Sequence, residues 1–155
     1  MRIGFGFDVH QLKENEELIL GGIKIPHNKG IVAHSDGDVI IHALCDALLG
    51  AASLRDIGFH FPDTSKKYKN ISGKILLQKT ISLLIKNNYS VGNTDITVCL
   101  QKPKIKEYIP EMQKILAEIL KVSVRDVSIK ATTTEKLGYI GSENGISAYA
   151  VVLIK

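Results

Sequence analysis

Asp8 and His10 lie two residues apart in a strand-like stretch, so both side chains leave the same face of the chain. His42 falls in the first turns of a helical pattern further on. If that helix packs beside the strand, two imidazoles and one carboxylate converge. Such a set suits Zn²⁺ with three protein ligands, and the fourth tetrahedral position then stays open for a substrate oxygen, as catalysis requires. Spacing alone does not decide the matter, because a histidine projecting from a helix is commonly a hydrogen-bonded core or surface residue. Asp38 and Asp46 stand four residues before and after His42 on the same helical face. Either could accept the second imidazole N–H and fix its tautomer. Both could equally be solvated acids, and Asp38 could serve the helix N-terminus.

Three further segments carry groups capable of chemistry. His34-Ser35-Asp36-Gly37-Asp38 places an imidazole, a hydroxyl, a turn glycine and two acids directly before the helix, where backbone N–H groups can hold an anion. The two acids disfavour phosphate unless a cation lies between, and a capped helix entry is the plain alternative. Lys130 to Gly138 leaves a strand for a loop with hydroxyls at Thr132, Thr133 and Thr134, the carboxylate of Glu135 and the ammonium of Lys136. Hydroxyls suit phosphate oxygens and Glu135 offers a hard oxygen ligand for Mg²⁺ or Mn²⁺, although threonine-rich strands are also ordinary sheet material. Asp56 to Asp63 reads as an irregular loop with acids at both ends and Pro62 as a stop, a kind of segment that holds polyols or merely connects. Cys45 and Cys99 lack C-x-x-C spacing and read as buried free thiols. His27 and His60 receive no role.

The elements that must position these groups follow from periodicity. Residues 2–10 alternate, with Ile3, Phe5, Phe7 and Val9 read as the core face and Gly4, Gly6, Asp8 and His10 as the chemical face. The two glycines would clear side-chain bulk for a ligand, or form a bulge. Residues 17–20 and 23–26 flank Gly21-Gly22 as a hairpin. Helices are expected over about 38–54 and 73–87, and from Pro110 to Leu120; strands are expected over 94–101, 127–133 and 147–154. This order predicts a single α+β domain over residues 1–155, a sandwich of a mixed β-sheet with helices packed on one face.

Composition narrows the function classes. The 155 residues are 45% hydrophobic and 23% charged, enough to bury a core without disulfides. The net charge of +4 is spread along the chain, and of its 20 basic residues only Arg2, Arg55 and Arg125 are arginine. That argues against nucleic acid and is compatible with an anionic small-molecule substrate. No apolar run approaches the roughly 20 residues that span a bilayer, and the strand pattern begins too early for a leader peptide. A soluble, cytoplasmic protein with no membrane partner is expected.

Taken together, Asp8-Val9-His10, His34-Ser35-Asp36-Gly37-Asp38, His42, Asp56-Ile57-Gly58, Phe61-Pro62-Asp63 and Ala131-Thr132-Thr133-Thr134-Glu135-Lys136-Leu137-Gly138 resemble, in order and spacing over essentially the whole chain, the cyclodiphosphate synthase family of the non-mevalonate isoprenoid pathway. The resemblance implies a phosphorus–oxygen lyase that converts 4-diphosphocytidyl-2-C-methyl-D-erythritol 2-phosphate to a cyclic diphosphate and releases CMP. It implies one Zn²⁺ on Asp8, His10 and His42, with Asp8 and His10 also facing substrate, and Mg²⁺ or Mn²⁺ held by Glu135 between the two phosphates. His34 and Thr133 would stabilise the transition state, while Ser35, Asp56, Gly58, Phe61 and Asp63 would bind the methylerythritol phosphate. Leu100 to Lys106, with Leu100, Pro103 and Lys104, would form the cytosine pocket, and Thr132, Thr134 and Tyr139 would complete the substrate site. A homotrimer with sites between subunits is further implied. Some members carry an arginine where this chain has Ser142, facing a central cavity able to bind an isoprenoid diphosphate; serine offers no charge-assisted bond, so that expectation does not carry over. The alternatives are a zinc-dependent phosphohydrolase that delivers water to phosphorus and an inactive cytidine-nucleotide-binding trimer.

Overall fold

A computed structural model of the protein describes residues 1–62, 64, 65, 68 and 70–155. In chain order its elements are β1 (Arg2–Glu14), β2 (Leu18–Leu20), β3 (Ile23–Ile25), β4 (Lys29–Val32), α1 (Val39–Ala51), α2 (Ile57–His60), α3 (Gly73–Lys86), β5 (Val91–Cys99), α4 (Ile109–Leu120), β6 (Val127–Thr132), α5 (Gly138–Gly141) and β7 (Gly145–Ile154). Five strands form one sheet in the order β4-β1-β7-β5-β6. Every pairing is antiparallel except β5 with β6. That parallel pair needs a long crossover, and α4 supplies it. The sheet is therefore mixed, as expected. β2 and β3 form a separate hairpin whose turn residues Gly21 and Gly22 both take positive φ, 57° and 81°, the demand that a two-residue turn makes of glycine.

Helix α1 is apolar on nearly every side. Val39, Ile40, Ile41, Ala43, Leu44, Cys45, Ala47, Leu48, Leu49 and Ala51 are all buried, as suits a helix enclosed between a sheet and other helices. His42, Asp46 and Gly50, spaced by four, make its one unburied stripe. Against β1 the helix comes unusually close. A Cβ built on Gly4 would lie 2.0 Å from the Ala47 carbonyl oxygen, and one on Gly6 would lie 2.0 Å from that of Ala43. Gly4 and Gly6 thus meet the Ala43-Ala47-Ala51 face of α1 backbone to backbone. Arg2 closes the far end of this seam, its Nε donating to the Ala51 carbonyl at 2.6 Å, where a cation also suits the helix dipole.

This packing reverses one expectation. The glycine face of β1 is the inner face, under α1, and Ile3, Phe5, Phe7 and Val9 point away from the core. Ile3 is 73% and Phe5 63% exposed, and Phe7, Val9, Val32, Tyr149 and Val151 are uncovered beside them. The rings of Phe7 and Tyr149 pack at 5.0 Å between centroids on that outer face. Helices α1, α3 and α4 all lie on the opposite side, so the helices do occupy one face only.

Other differences are smaller. β1 runs on to Glu14 because β4, absent from the periodicity reading, pairs with residues 11–14. The Asp56–Asp63 segment contains the short helix α2 rather than being irregular throughout, and α5 is also additional. Cys45 is buried as expected, but Cys99 is only half-buried. No helix of the described residues is long and apolar enough to cross a membrane.

Replacing Gly4 or Gly6 by alanine forces a methyl group into helix backbone that cannot yield as a side chain would. Each variant is expected to lose about 3 kcal/mol of unfolding free energy. Gly50→Ala, on the open stripe of the same helix with nothing within 4 Å of the new methyl, is expected to gain about 0.5–1 kcal/mol. Urea denaturation of the three variants checks both signs.

Candidate functional site

The glycine seam sets His42 opposite the end of β1 that carries Asp8 and His10. Asp8 Oδ2 lies 3.0 Å from His10 Nε2 and 3.0 Å from His42 Nδ1, and the two imidazole nitrogens are 3.1 Å apart. Among the described residues this is the one group of three or more His, Cys, Asp or Glu whose ligand atoms converge. All three are half-buried. Two nitrogens and a carboxylate oxygen facing one point form the donor set of a divalent-metal site with room for a further ligand. The electrostatics favour a cation there. Burial alone would raise the Asp8 carboxyl, yet hydrogen bonds from His10 and His42, with their charges, hold it well below the usual carboxylate range. Burial disfavours the imidazolium of His42, but the bond to Asp8 and the charges of Asp8, Asp38 and Asp36 overcome it and raise its pKa.

The second nitrogen of His42 does not meet either acid of its own helix. Nε2 lies 3.2 Å from Ser35 Oγ. Asp38 instead is the N-cap of α1 and is fully buried. Its Oδ1 accepts the amides of Ile41 (3.2 Å) and Gly21 (3.0 Å), and its Oδ2 accepts that of Gly22 at 2.6 Å, which ties the β2–β3 turn to the start of the helix. Asp46 accepts the amide of Ile57 at 3.1 Å and so anchors α2; burial lifts its pKa. Asp36 accepts the amides of Asp38 (3.2 Å) and Gly73 (2.7 Å), and thereby joins the 34–38 loop to the first residue of α3. The acids flanking His42 are structural acceptors, a role the sequence reading reserved only for Asp38.

Beside the three convergent residues opens a cavity of about 320 Å³, whose lining includes His10, His34, Ser35, His42, Gly58 and Phe61. Asp56 caps α2, its Oδ1 accepting the amide of Phe59 at 2.8 Å, and so fixes Gly58 at the cavity wall. Asp63, expected on the same wall, falls outside the described residues. His60 bonds the Leu54 carbonyl at 2.7 Å, a packing role, while His27 Nε2 is buried without a partner.

The threonine-rich loop lies elsewhere. A second cavity, of about 180 Å³, is lined among others by Leu100, Pro103, Lys104, Thr132 and Thr133, and it shares no lining residue with the first. Thr133 Oγ1 receives the Glu135 amide at 3.3 Å and reaches the Glu135 carboxylate at 3.5 Å. Thr134 Oγ1 donates to the Leu137 carbonyl at 2.7 Å. Glu135 itself is exposed, at φ 52°, and joins no convergent ligand group among the described residues. Tyr139 does not line the second cavity; its ring lies against Gly145. Ser142 is used locally, donating to the Tyr139 carbonyl and accepting from Asn144. One chain thus brings Asp8, His10, His34, Ser35, His42, Gly58 and Phe61 together and keeps Leu100, Pro103, Lys104, Thr132 and Thr133 apart from them.

Comparison with known proteins shows the family. Residues 1–155 match the YgbB family. The 2-C-methyl-D-erythritol 2,4-cyclodiphosphate synthase of Bacteroides fragilis is 60% identical over 154 residues, covering 99% of this chain and 97% of that protein. A solved structure of 2C-methyl-D-erythritol-2,4-cyclodiphosphate synthase superimposes with a TM-score of 0.92 at 33% identity, covering 99% of this chain and all of that one. The Plasmodium falciparum IspF–CDP complex superimposes with a TM-score of 0.86 at 38% identity, covering 99% of this chain and 94% of that one. The chain belongs to the YgbB family, that of the 2-C-methyl-D-erythritol 2,4-cyclodiphosphate synthases.

Proposed function

We propose that this chain closes a cyclic diphosphate. An oxygen of the 2-phosphate of 4-diphosphocytidyl-2-C-methyl-D-erythritol 2-phosphate attacks the β-phosphorus in line and forms a new P–O bond. The bond from that phosphorus to the bridging oxygen breaks, and CMP leaves with the electron pair. The observation that carries the reading is the convergence of Asp8, His10 and His42 at the wall of a cavity that also presents His34 and Ser35. Zn²⁺ held by Asp8, His10 and His42, with Mg²⁺ or Mn²⁺ held by Glu135, would supply charge neutralisation and polarise phosphate oxygens.

The chain's own residues position and stabilise. Phosphoryl transfer asks for little covalent help, so no protein nucleophile is needed. His34 and Thr133 donate to oxygens of the diphosphate as charge develops. Ser35, Asp56, Gly58, Phe61 and Asp63 hold the methylerythritol phosphate, and of these Ser35, Gly58 and Phe61 line the first cavity. Leu100, Pro103 and Lys104 hold the cytidine end in the second cavity, which Thr132 also lines, and Thr134 and Tyr139 complete the substrate site from outside it.

Two observations support a homotrimer. The outer sheet face around Phe5 and Phe7 is large, apolar and uncovered, as subunit-covered faces are. The two cavities have no residue in common, so neighbouring chains would join one metal side to one nucleotide side. The absence of a membrane-crossing helix among the described residues and the use of a cytidine nucleotide fit a cytoplasmic enzyme.

Phosphorus NMR of the purified protein with the substrate and Mg²⁺ is the first test. A cyclic diphosphate plus CMP is expected, lost on zinc chelation and restored by zinc. Free phosphate would favour a hydrolase, and no turnover by folded, zinc-loaded protein would favour a binding role. His42→Ala is expected to stay folded but lose bound zinc and activity together, measured by metal analysis. Glu135→Gln is expected to keep zinc and to need more Mg²⁺ or Mn²⁺ for half-maximal rate; an unchanged metal titration would remove its role. Phe5→Glu is expected to sediment as a monomer and to be inactive at concentrations where the unaltered chain sediments as a trimer.

A further inference from the structure

His42 presents Nδ1 to Asp8 Oδ2 and His10 Nε2, so Nδ1 is the nitrogen that faces the metal position. A ligating ring nitrogen carries no proton, which places the proton on Nε2. Nε2 then donates to Ser35 Oγ, 3.2 Å away. The same oxygen accepts the Gly37 amide at 3.1 Å. Both acceptor positions of the hydroxyl are thereby filled, and its own proton is left for an acceptor in the cavity that Ser35 lines.

The loop around Ser35 is held at several points. Gly37 sits at φ 69°, and a Cβ there would lie 2.4 Å from Ile31 Cγ2, so the turn that aims its amide at Ser35 admits glycine only. Asp36 bonds Asp38 and Gly73 through its carboxylate, and its amide donates to the Ile71 carbonyl at 3.1 Å. Ser35 Oγ is therefore a fixed acceptor.

Resting on the metal reading above, we infer that Ser35 is a positioning residue for the metal. Its hydroxyl oxygen locks His42 in the Nε2–H tautomer with Nδ1 turned to the cation. Removing such a partner frees the ring and lowers its basicity, which weakens metal binding by about 10–100-fold. This role precedes substrate and does not depend on it.

The test therefore omits substrate. Zinc affinity of the full chain is measured by competition with a chromophoric chelator, with folding followed by far-UV circular dichroism. The unaltered chain is expected to bind one zinc, and folded Ser35→Ala to bind it about 10–100-fold more weakly. Nitrogen-15 NMR of the zinc-loaded unaltered chain is expected to show the His42 proton on Nε2, a result that needs no variant. Equal zinc affinity in folded Ser35→Ala, or a His42 proton on Nδ1, overturns the inference. Failure of the unaltered chain to bind zinc overturns the metal reading itself, which separates the two outcomes.

Discussion

The backbone contact between β1 and α1 is the constraint on which the site depends. Gly4 and Gly6 bring the strand against Ala43, Ala47 and Ala51 with no side chain between them. A helix normally stands off a sheet by the thickness of the side chains that close-pack between them. Here the gap is closed at one end of the strand, and the polar residues Asp8 and His10 follow directly after the glycines. His42, one residue before Ala43, is then brought within 3.1 Å of His10 Nε2. Any side chain at position 4 or 6 would lever the helix outward and open the donor set. The stability of the core and the geometry of the site are, in this region, one contact.

How much of this the sequence discloses depends on the kind of signal. Period-two alternation in residues 3–10 is unambiguous and puts Asp8 and His10 on one face, where the structure has them. It could not say which face was inside. Because apolar residues usually face a core, the alternation alone predicts burial of Ile3, Phe5, Phe7 and Val9. The structure turns them outward, since glycines allow a whole helix to cover the other face. The apolar residues of the strand then form an outer face that no described element of this chain covers. Helix positions were more legible. α1, α3 and α4 appear within a few residues of their expected bounds, because apolar residues at helical spacing need no partner to be recognised. β4, only four residues long, carries too little pattern to be seen.

The acids show a different limit. Asp36, Asp38 and Asp46 all lie near His42 in sequence, and any could have oriented it. Each instead accepts backbone amides, at the starts of α3, α1 and α2. Sequence spacing places a side chain on a helix face but does not tell which competing donor reaches it first. An unpaired amide at a buried helix start costs more to leave unmet than an imidazole N–H with a nearby hydroxyl. The acids are therefore taken by the scaffold, and the neutral serine is left for the histidine.

That division has an electrostatic consequence. A carboxylate on His42 Nε2 would add a full negative charge behind the proposed metal ligand, in the cavity proposed to accept an anionic phosphate. Ser35 orients the ring as a neutral acceptor and keeps a proton to donate toward the cavity. The negative charge nearest the convergence point is then that of Asp8, which points at the cation position itself. The other acids spend their charge on amides at helix starts, where the helix dipole already favours it. The first cavity presents imidazoles, the Ser35 hydroxyl and Gly58 beside apolar side chains, with no carboxylate among its described lining, and such polar groups can approach a phosphate without repelling it.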